Sequence, residues 1–344
     1  MSYEVTIGIP VYKAVNYVSE TLMSALNQNF ESLEFLILDD CGNDGSMDIV
    51  YSIVCTHHRN KDIHILRQPR NMGIGEARNR IIDEAQGRYL FFLDSDDILP
   101  PEAIQVMYDA AVKYEAQIVY GSNERVFDYG GDVRTIQELY EPLLFYSNND
   151  FADYAYAKYG NIPANVWKFL IDINVYRNNN LRFPDINFWE DFAMTIDLPT
   201  YIERAVFLPN ITYRYFSRYG TLSNNQQRSS IQKEEIVKIA AAIGNLKTNS
   251  LRIKDKPYYL KRCFKLMMTE FYMVCYILKH RKIITPHFSS KELCDMMNSP
   301  LSLHEVIGLD RWKLKNFALF TLGVVPPFVS VGIIWLIGKI KHFV

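Results

Sequence analysis

Over the first 121 residues, short continuous apolar runs alternate with stretches whose apolar positions recur at helical spacing. The runs Glu4–Pro10, Leu33–Asp39, Ile63–Arg67, Tyr89–Asp94 and Gln117–Gly121 predict strands, each ending in polar turn residues. Between them, Asn16 is placed to cap a helix carrying Val18, Leu22, Ala25 and Leu26 on one face. A second helix starts near Ser46, with Ile49, Val50, Ile53 and Val54 aligned. Glu76–Ala85 predicts a third helix, and Pro101–Tyr114, with Pro in its first turn, a fourth. Strands alternating with helices imply an α/β fold, a mostly parallel sheet with helices on both faces. Ligands of such sheets bind beyond the carboxyl ends of the strands. The polar clusters after Ile9, Leu38, Leu66 and Leu93 all fall at that edge.

From 122 to 228 the pattern is less regular, and 229–310 reads as helices, with a dense apolar face over Tyr258–Lys279. No internal repeat or low-complexity segment is visible. Between Lys315 and Lys339 no residue is charged, a run long enough to cross a bilayer as a helix. Pro326-Pro327 interrupts it, with Gly323 and Gly332 on either side, which argues against one straight span. Arg311, Lys313 and Lys315 precede the run and Lys339 and Lys341 follow it. This predicts a membrane-associating segment at 316–338, a re-entrant or interfacial hairpin with both ends on the cytoplasmic side. A pair of short buried helices is the competing reading.

Charge sharpens the division. The net charge of -2 conceals 18 Lys/Arg against 8 Asp/Glu in residues 229–344, and 19 against 31 in residues 1–228. An acidic first region and a basic tail are expected to meet different partners. Five cysteines with no C-x-x-C pair suggest neither zinc nor a disulfide framework, and so a reducing compartment. The first residues run directly into a strand, without the basic and apolar stretches of a secretory signal. The high Tyr and Phe content suits sugar-stacking surfaces and aromatic cores equally.

The candidate chemistry is acidic. The strand Tyr89–Leu93 delivers Asp94, Asp96 and Asp97 to one turn. Carboxylates packed this closely repel one another unless a cation lies between them, and a hard divalent ion with oxygen ligands meets that need. An acidic turn leading into Pro100-Pro101 would need only one Asp. Asp39-Asp40 ends the second strand before Gly42-Asn43-Asp44-Gly45-Ser46 and can accept hydrogen bonds from a base or ribose, or serve as simple turn chemistry. Arg78, early in a helix, can contact a nucleotide or its phosphates. Gly73-x-Gly75 is not a dinucleotide fingerprint, because that motif follows the first strand.

Four of these segments, in order, resemble the family 2 glycosyltransferases: Ile9-Pro10-Val11-Tyr12, Leu38-Asp39-Asp40 with Asn43-Asp44-Gly45-Ser46, Asn71-x-Gly73 through Ala77-Arg78-Asn79, and Asp94-Ser95-Asp96-Asp97. The resemblance covers about the first 120 residues, resumes at Glu190-Asp191 and is absent from about 230 onward. It implies the GT-A (Rossmann-like) fold over 1–228, with a nucleotide-binding half at 1–121 and an acceptor and catalytic half at 122–228. A helical, basic C-terminal extension would occupy 229–344. Pro10, Tyr12 and Asp40 would line the base pocket with Arg78 nearby. Asp94 and Asp96 would span ribose and metal, with Asp96 the first choice of Mn2+ or Mg2+ ligand and Asp97 the second. Asp191 would be the catalytic base beside Glu190. Arg214 and Arg218-Tyr219-Gly220-Thr221 resemble a basic segment over the diphosphate, with Thr221 where Ser is common. Without the resemblance, Asp191 reads equally well as a helix N-terminal charge. Trp167 and Trp189 suit either sugar stacking or core packing.

The expectation is an inverting transfer of a sugar from a nucleotide-diphosphate donor, a UDP-sugar, to a glycan or lipid-linked acceptor in cell-surface polysaccharide synthesis. It would take place at the cytoplasmic membrane face, with no nucleic-acid partner. A sugar nucleotidyltransferase or phosphohydrolase also uses carboxylate-bound metal. The former lacks its Gly-rich loop here, and the latter's acidic motif would sit near the first strand rather than the fourth. A non-catalytic scaffold is opposed by the intact Asp96 and Asp191.

Overall fold

A computed structural model describes residues 3–131, 133–158, 161–186, 189–218, 229–307 and 313–344. Asn187, Phe188, Tyr219-Gly220-Thr221 and Arg311 lie outside the described residues. Two compact units are present: Met1–Phe151 with Pro163–Gln226, and Ala152–Ile162 with Gln227–Val344.

In the first unit the elements are β1 (Val5–Val11), α1 (Val18–Leu26), β2 (Leu33–Asp39), α2 (Ser46–Thr56), β3 (Ile63–Arg67), α3 (Ile74–Glu84), β4 (Tyr89–Phe92), α4 (Ala103–Lys113) and β5 (Ile118–Asp128). There follow β6 (Arg134–Glu138), β7 (Leu143–Phe145), α5 (Asn148–Ala157, which ends in the second unit), β8 (Phe169–Asp172), α6 (Ile173–Asn178), α7 (Glu190–Thr195) and β9 (Ala205–Arg218). The strands form one sheet in the order β3-β2-β1-β4-β8-β5-β9-β7, with β6 on β5. Strands β1 to β4 are mutually parallel; β8 runs against both β4 and β5, so β5 and its parallel partner β9 share the common direction. The GT-A architecture, a mostly parallel sheet flanked by helices with a helical C-terminus, is therefore present.

Continuous apolar runs become strands here because both faces of the sheet are covered. Val5, Ile7 and Ile9 of β1 pack with Phe35 and Ile37 of β2 and with α1 and α4 in one core. On the other face Ala77, Ile81 and Ile82 of α3 are buried, and Phe92 meets Phe183 edge-on. Each buried Val, Ile or Phe among them contributes about 1.5–3 kcal/mol. Two details differ from the sequence reading. The cap of α1 is Tyr17, not Asn16, and makes no side-chain hydrogen bond; instead Asp44 accepts from Val15 N and Ser46 Oγ from Ala14 N, tying that loop to the start of α2. Strand β5 runs to Asp128, past an irregularity at Gly121–Asn123 where a Cβ on Gly121 would collide with Thr212.

The second unit is helical: α8 (Lys233–Asn249), α9 (Tyr259–His280), α10 (Ser290–Met296), α11 (Leu303–Ile307), α12 (Lys313–Val324) and α13 (Pro327–Ile340). Helix α9 is buried around most of its circumference. The uncharged run breaks at Val325-Pro326 into α12 and α13, as the proline pair requires. No helix among the described residues is long and apolar enough to cross a membrane. Leu319, Leu322 and Ile334 are buried, whereas Leu314 (89% exposed), Phe317, Phe328 (73%), Trp335, Leu336 and Ile340 face outward.

Candidate active site

The carboxyl ends of β1, β2 and β3 build a polar cavity of about 350 Å3 lined in part by Val11, Lys13, Asp39, Asp44, Tyr51 and Arg67. Tyr12, beside it in sequence, is 42% exposed, and the Lys13 ammonium lies 5.2 Å from its ring centroid. The two aspartates ending β2 do different work. Asp39 accepts from Cys41 N and pairs with Arg67 at 3.3 Å. Asp40 accepts from Met72 N (2.8 Å) and Gly73 N (3.1 Å), so it holds the turn before α3, where Gly73 has φ +88°. Burial raises the Asp40 carboxyl, and the two amides oppose the shift.

The turn after β4 is stitched to β9. Backbone hydrogen bonds join Ile98 and Arg214 in both directions. Asp97 is fully buried; Tyr213 Oη donates to its Oδ2 at 2.8 Å and Phe216 N to its Oδ1 at 2.7 Å. Tyr213 Oη in turn accepts from Asp94 N at 3.2 Å. Burial and the neighbouring Asp96 and Asp94 push the Asp97 carboxyl well above the usual range. Asp94 and Asp96 remain half-buried. Burial, with the Asp94 charge, raises Asp96 to about 6, against the nearby Arg218. Arg218 Nη1 donates to Asp96 O at 2.7 Å, its guanidinium lying over Tyr17 and Phe216.

Arg78 gathers the remaining acids. Its Nη2 donates to Asp94 Oδ1 at 3.0 Å, and its Nη1 to Glu190 Oε1 at 3.1 Å and to Asp191 Oδ1. It is 3% exposed and covered by Phe92 and Phe183. Val166 N donates to Asp191 Oδ2 at 3.4 Å. Burial raises the Asp191 and Glu190 carboxyls and Arg78 opposes the shift; the three acids in turn raise Arg78. Glu190 and Asp191 open α7 directly after Trp189, whose φ of +66° is unusual for a bulky residue.

Residues far apart in sequence, Arg78, Asp94, Asp96, Glu190 and Asp191, are thus brought to one edge of the sheet. Three sequence candidates are directed elsewhere: both oxygens of Asp97 accept from β9, Arg214 Nε donates to Glu124 Oε2 at 2.9 Å, and Trp167, 4% exposed, stacks on Tyr213 and Tyr215. Three positions that sequence reasoning did not assign help build the site. Asn79 forms a two-point clasp with Phe183, donating to its O (3.0 Å) and accepting from its N (2.8 Å). A Cβ on Gly75 would stand 2.9 Å from Pro184 O. Tyr213 anchors the acidic turn. The clasp was signalled only by the Ala77-Arg78-Asn79 motif, which drew attention to its charged member.

Asp96, with Asp94 beside it, suits a divalent ion that takes one or two carboxylates and completes its shell with phosphate oxygens and water. Among the described residues no group of three or more His, Cys, Asp or Glu is arranged to hold a metal, so the protein would supply only part of such a shell.

Sequence similarity to known proteins identifies a glycosyltransferase. Residues 6–171 match the model of glycosyl transferase family 2, and that part of the chain is a family 2 domain. An uncharacterized glycosyltransferase of Haemophilus influenzae is 25% identical over 233 residues, 66% of this chain and 84% of that protein. A cholesterol galactosyltransferase of Borreliella burgdorferi is 24% identical over 65% of this chain and 63% of its own length. A chondroitin synthase of Pasteurella multocida is 33% identical over 123 residues, 36% of this chain and 12% of the synthase. Among solved structures, S. aureus TarS 1–349 in complex with UDP-GlcNAc aligns with a TM-score of 0.66 at 15% identity, over 96% of this chain and 89% of that one. The mannosyltransferase PcManGT from Pyrobaculum calidifontis, in complex with GDP-Man and Mn2+, aligns with a TM-score of 0.52 at 13% identity, over 98% and 88%. At these identities the two structural alignments show a shared fold and nothing further.

Proposed function

We propose that the protein transfers a sugar from a UDP-sugar to a hydroxyl of a glycan or lipid-linked acceptor in cell-surface polysaccharide synthesis, with inversion at the anomeric carbon. The observation that carries this reading is that Arg78 holds Asp191 and Asp94 together at the carboxyl edge of the sheet, with Asp96 near enough to Asp94 to feel its charge. The Asp191 carboxylate takes the proton of the acceptor hydroxyl. The acceptor oxygen then bonds to the anomeric carbon from the face opposite the leaving diphosphate, whose oxygen keeps the electron pair of the broken bond. A base of this kind typically contributes about 10²–10⁴-fold. Pro10, Tyr12 and Asp40 bind the base, Asp94 the ribose, and Arg218 the diphosphate. Asp96, with Asp97 behind it as a buried support, would hold Mn2+ or Mg2+, which would supply charge neutralisation for the diphosphate. A UDP donor is supported by the closer likeness to TarS in complex with UDP-GlcNAc. Relatives named for a sterol substrate and for a glycan support an acceptor of either kind.

The exposed apolar side chains of α12 and α13, flanked by Lys315, Lys339 and Lys341, support peripheral binding to the cytoplasmic face of a membrane. A thermal-shift panel of UDP- and GDP-sugars with Mn2+ tests the donor assignment. Stabilisation by UDP-sugars follows from mass action; stabilisation by GDP-sugars alone overturns the UDP assignment.

A further inference from the structure

We infer that Arg78 is a positioning residue: it orients the carboxylate of Asp191 against that of Asp94 and does not itself contact the donor. The inference rests on the proposed role of Asp191 and extends it. Arg78 sits in the second turn of α3, and its partners come from the turn after β4 and the first turn of α7. Both terminal nitrogens are engaged by carboxylates, and Nε is buried without a hydrogen-bond partner. With 3% of its surface exposed and Phe92 and Phe183 over the guanidinium, Arg78 offers little surface to a ligand in solvent. A group needed for binding a diphosphate would offer more.

The fork geometry explains why Arg stands here. A planar guanidinium fixes two carboxylates at a set angle and separation, whereas an ammonium is a point charge with rotating donors. Asp191 and Asp94 are thereby locked to each other across 97 residues of chain. Burial also removes the water that would otherwise screen Glu190, Asp191 and Asp94 from one another. Without Arg78 the two acids opening α7 lose their common partner and the first turn of that short helix loosens. The base end of the nucleotide site keeps its own support in the Asp40 contacts to Met72 N and Gly73 N, whereas Asp94 loses the guanidinium that orients it.

The test uses the full chain with Arg78→Lys and Arg78→Met. UDP affinity is measured by calorimetry with Mn2+, hydrolysis of UDP-sugars gives kcat and KM, and amide exchange is followed by mass spectrometry. The expected result is kcat lower by roughly 30–100-fold, the scale of a misplaced reacting group, with UDP affinity and KM, which Arg78 reaches only through Asp94, changed far less. Exchange across residues 189–195 rises at least tenfold in the Met variant, while peptides of β1 and β2 keep their protection. The Lys variant falls between and serves alone if the Met variant does not fold. A loss of UDP affinity with kcat retained, or unchanged exchange at 189–195, overturns the inference. If the parent turns over no nucleotide sugar, the proposed function fails instead, and the exchange data alone decide the role of Arg78.

Discussion

Replacing Tyr213 with Phe removes one hydroxyl from the interior and leaves the ring stack with Trp167 in place. That hydroxyl donates to the fully buried Asp97 and accepts from Asp94 N. A hydrogen bond to a charged group contributes about 1.5–3 kcal/mol, and a backbone N–H left unsatisfied in a buried turn costs about 1 kcal/mol more. The variant should therefore lose about 3 kcal/mol, or roughly 6–12 °C in Tm for a unit of this size. The sign of the pH dependence follows from linkage. Tyr213 lowers the Asp97 carboxyl from its raised position, so removing it raises Asp97 further. The penalty is full where Asp97 is ionised and shrinks as falling pH protonates it in both proteins. Urea unfolding followed by Trp fluorescence at two pH values measures this, with the exposed Tyr146→Phe as a control expected to shift stability by less than about 0.5 kcal/mol. A Tyr213→Phe loss no larger than the control's would refute the anchoring role assigned to the Asp97–Tyr213 pair.

Asp191→Asn should lower kcat by about 10²–10⁴-fold with donor KM nearly unchanged. Because burial raises Asp191 and its ionised form is the active one, kcat in the parent should rise with pH through a limb above the usual carboxylate range, and a flat profile there would contradict the base role. Gly75→Ala puts a methyl 2.9 Å from Pro184 O, and the resulting shift of Phe183 and Pro184 should cost about 1–3 kcal/mol and lower kcat; unchanged melting would show that these residues yield freely. Phe328→Glu with Leu336→Glu should abolish flotation of the full chain with anionic vesicles while leaving UDP binding intact. Equal flotation of parent and variant would remove the membrane assignment.

Strands β1 to β4 were legible because covered parallel strands appear as unbroken apolar runs closed by turn residues. Strand β9 was not legible. Pro209 and Asn210 interrupt it, and its face alternates between buried Tyr213 and exposed Arg214. The far half of β5 was hidden in the same way by Glu124 and Arg125. The acidic turn and Glu190-Asp191 could be found as motifs, but their adjacency could not. It depends on Arg78 reaching 112 and 113 positions along the chain. Nor did three neighbouring aspartates reveal which of them is spent on structure. The two hydrogen bonds to Asp97 come from β9, beyond the reach of any local pattern.

The most direct measurement of the central claim is release of UDP from a panel of UDP-sugars by the parent and by Asp96→Ala, with Mn2+ and with chelator. The account predicts turnover of at least one donor by the parent in Mn2+. That turnover should disappear with chelator and in Asp96→Ala. Turnover that survives both chelation and Asp96→Ala would contradict it.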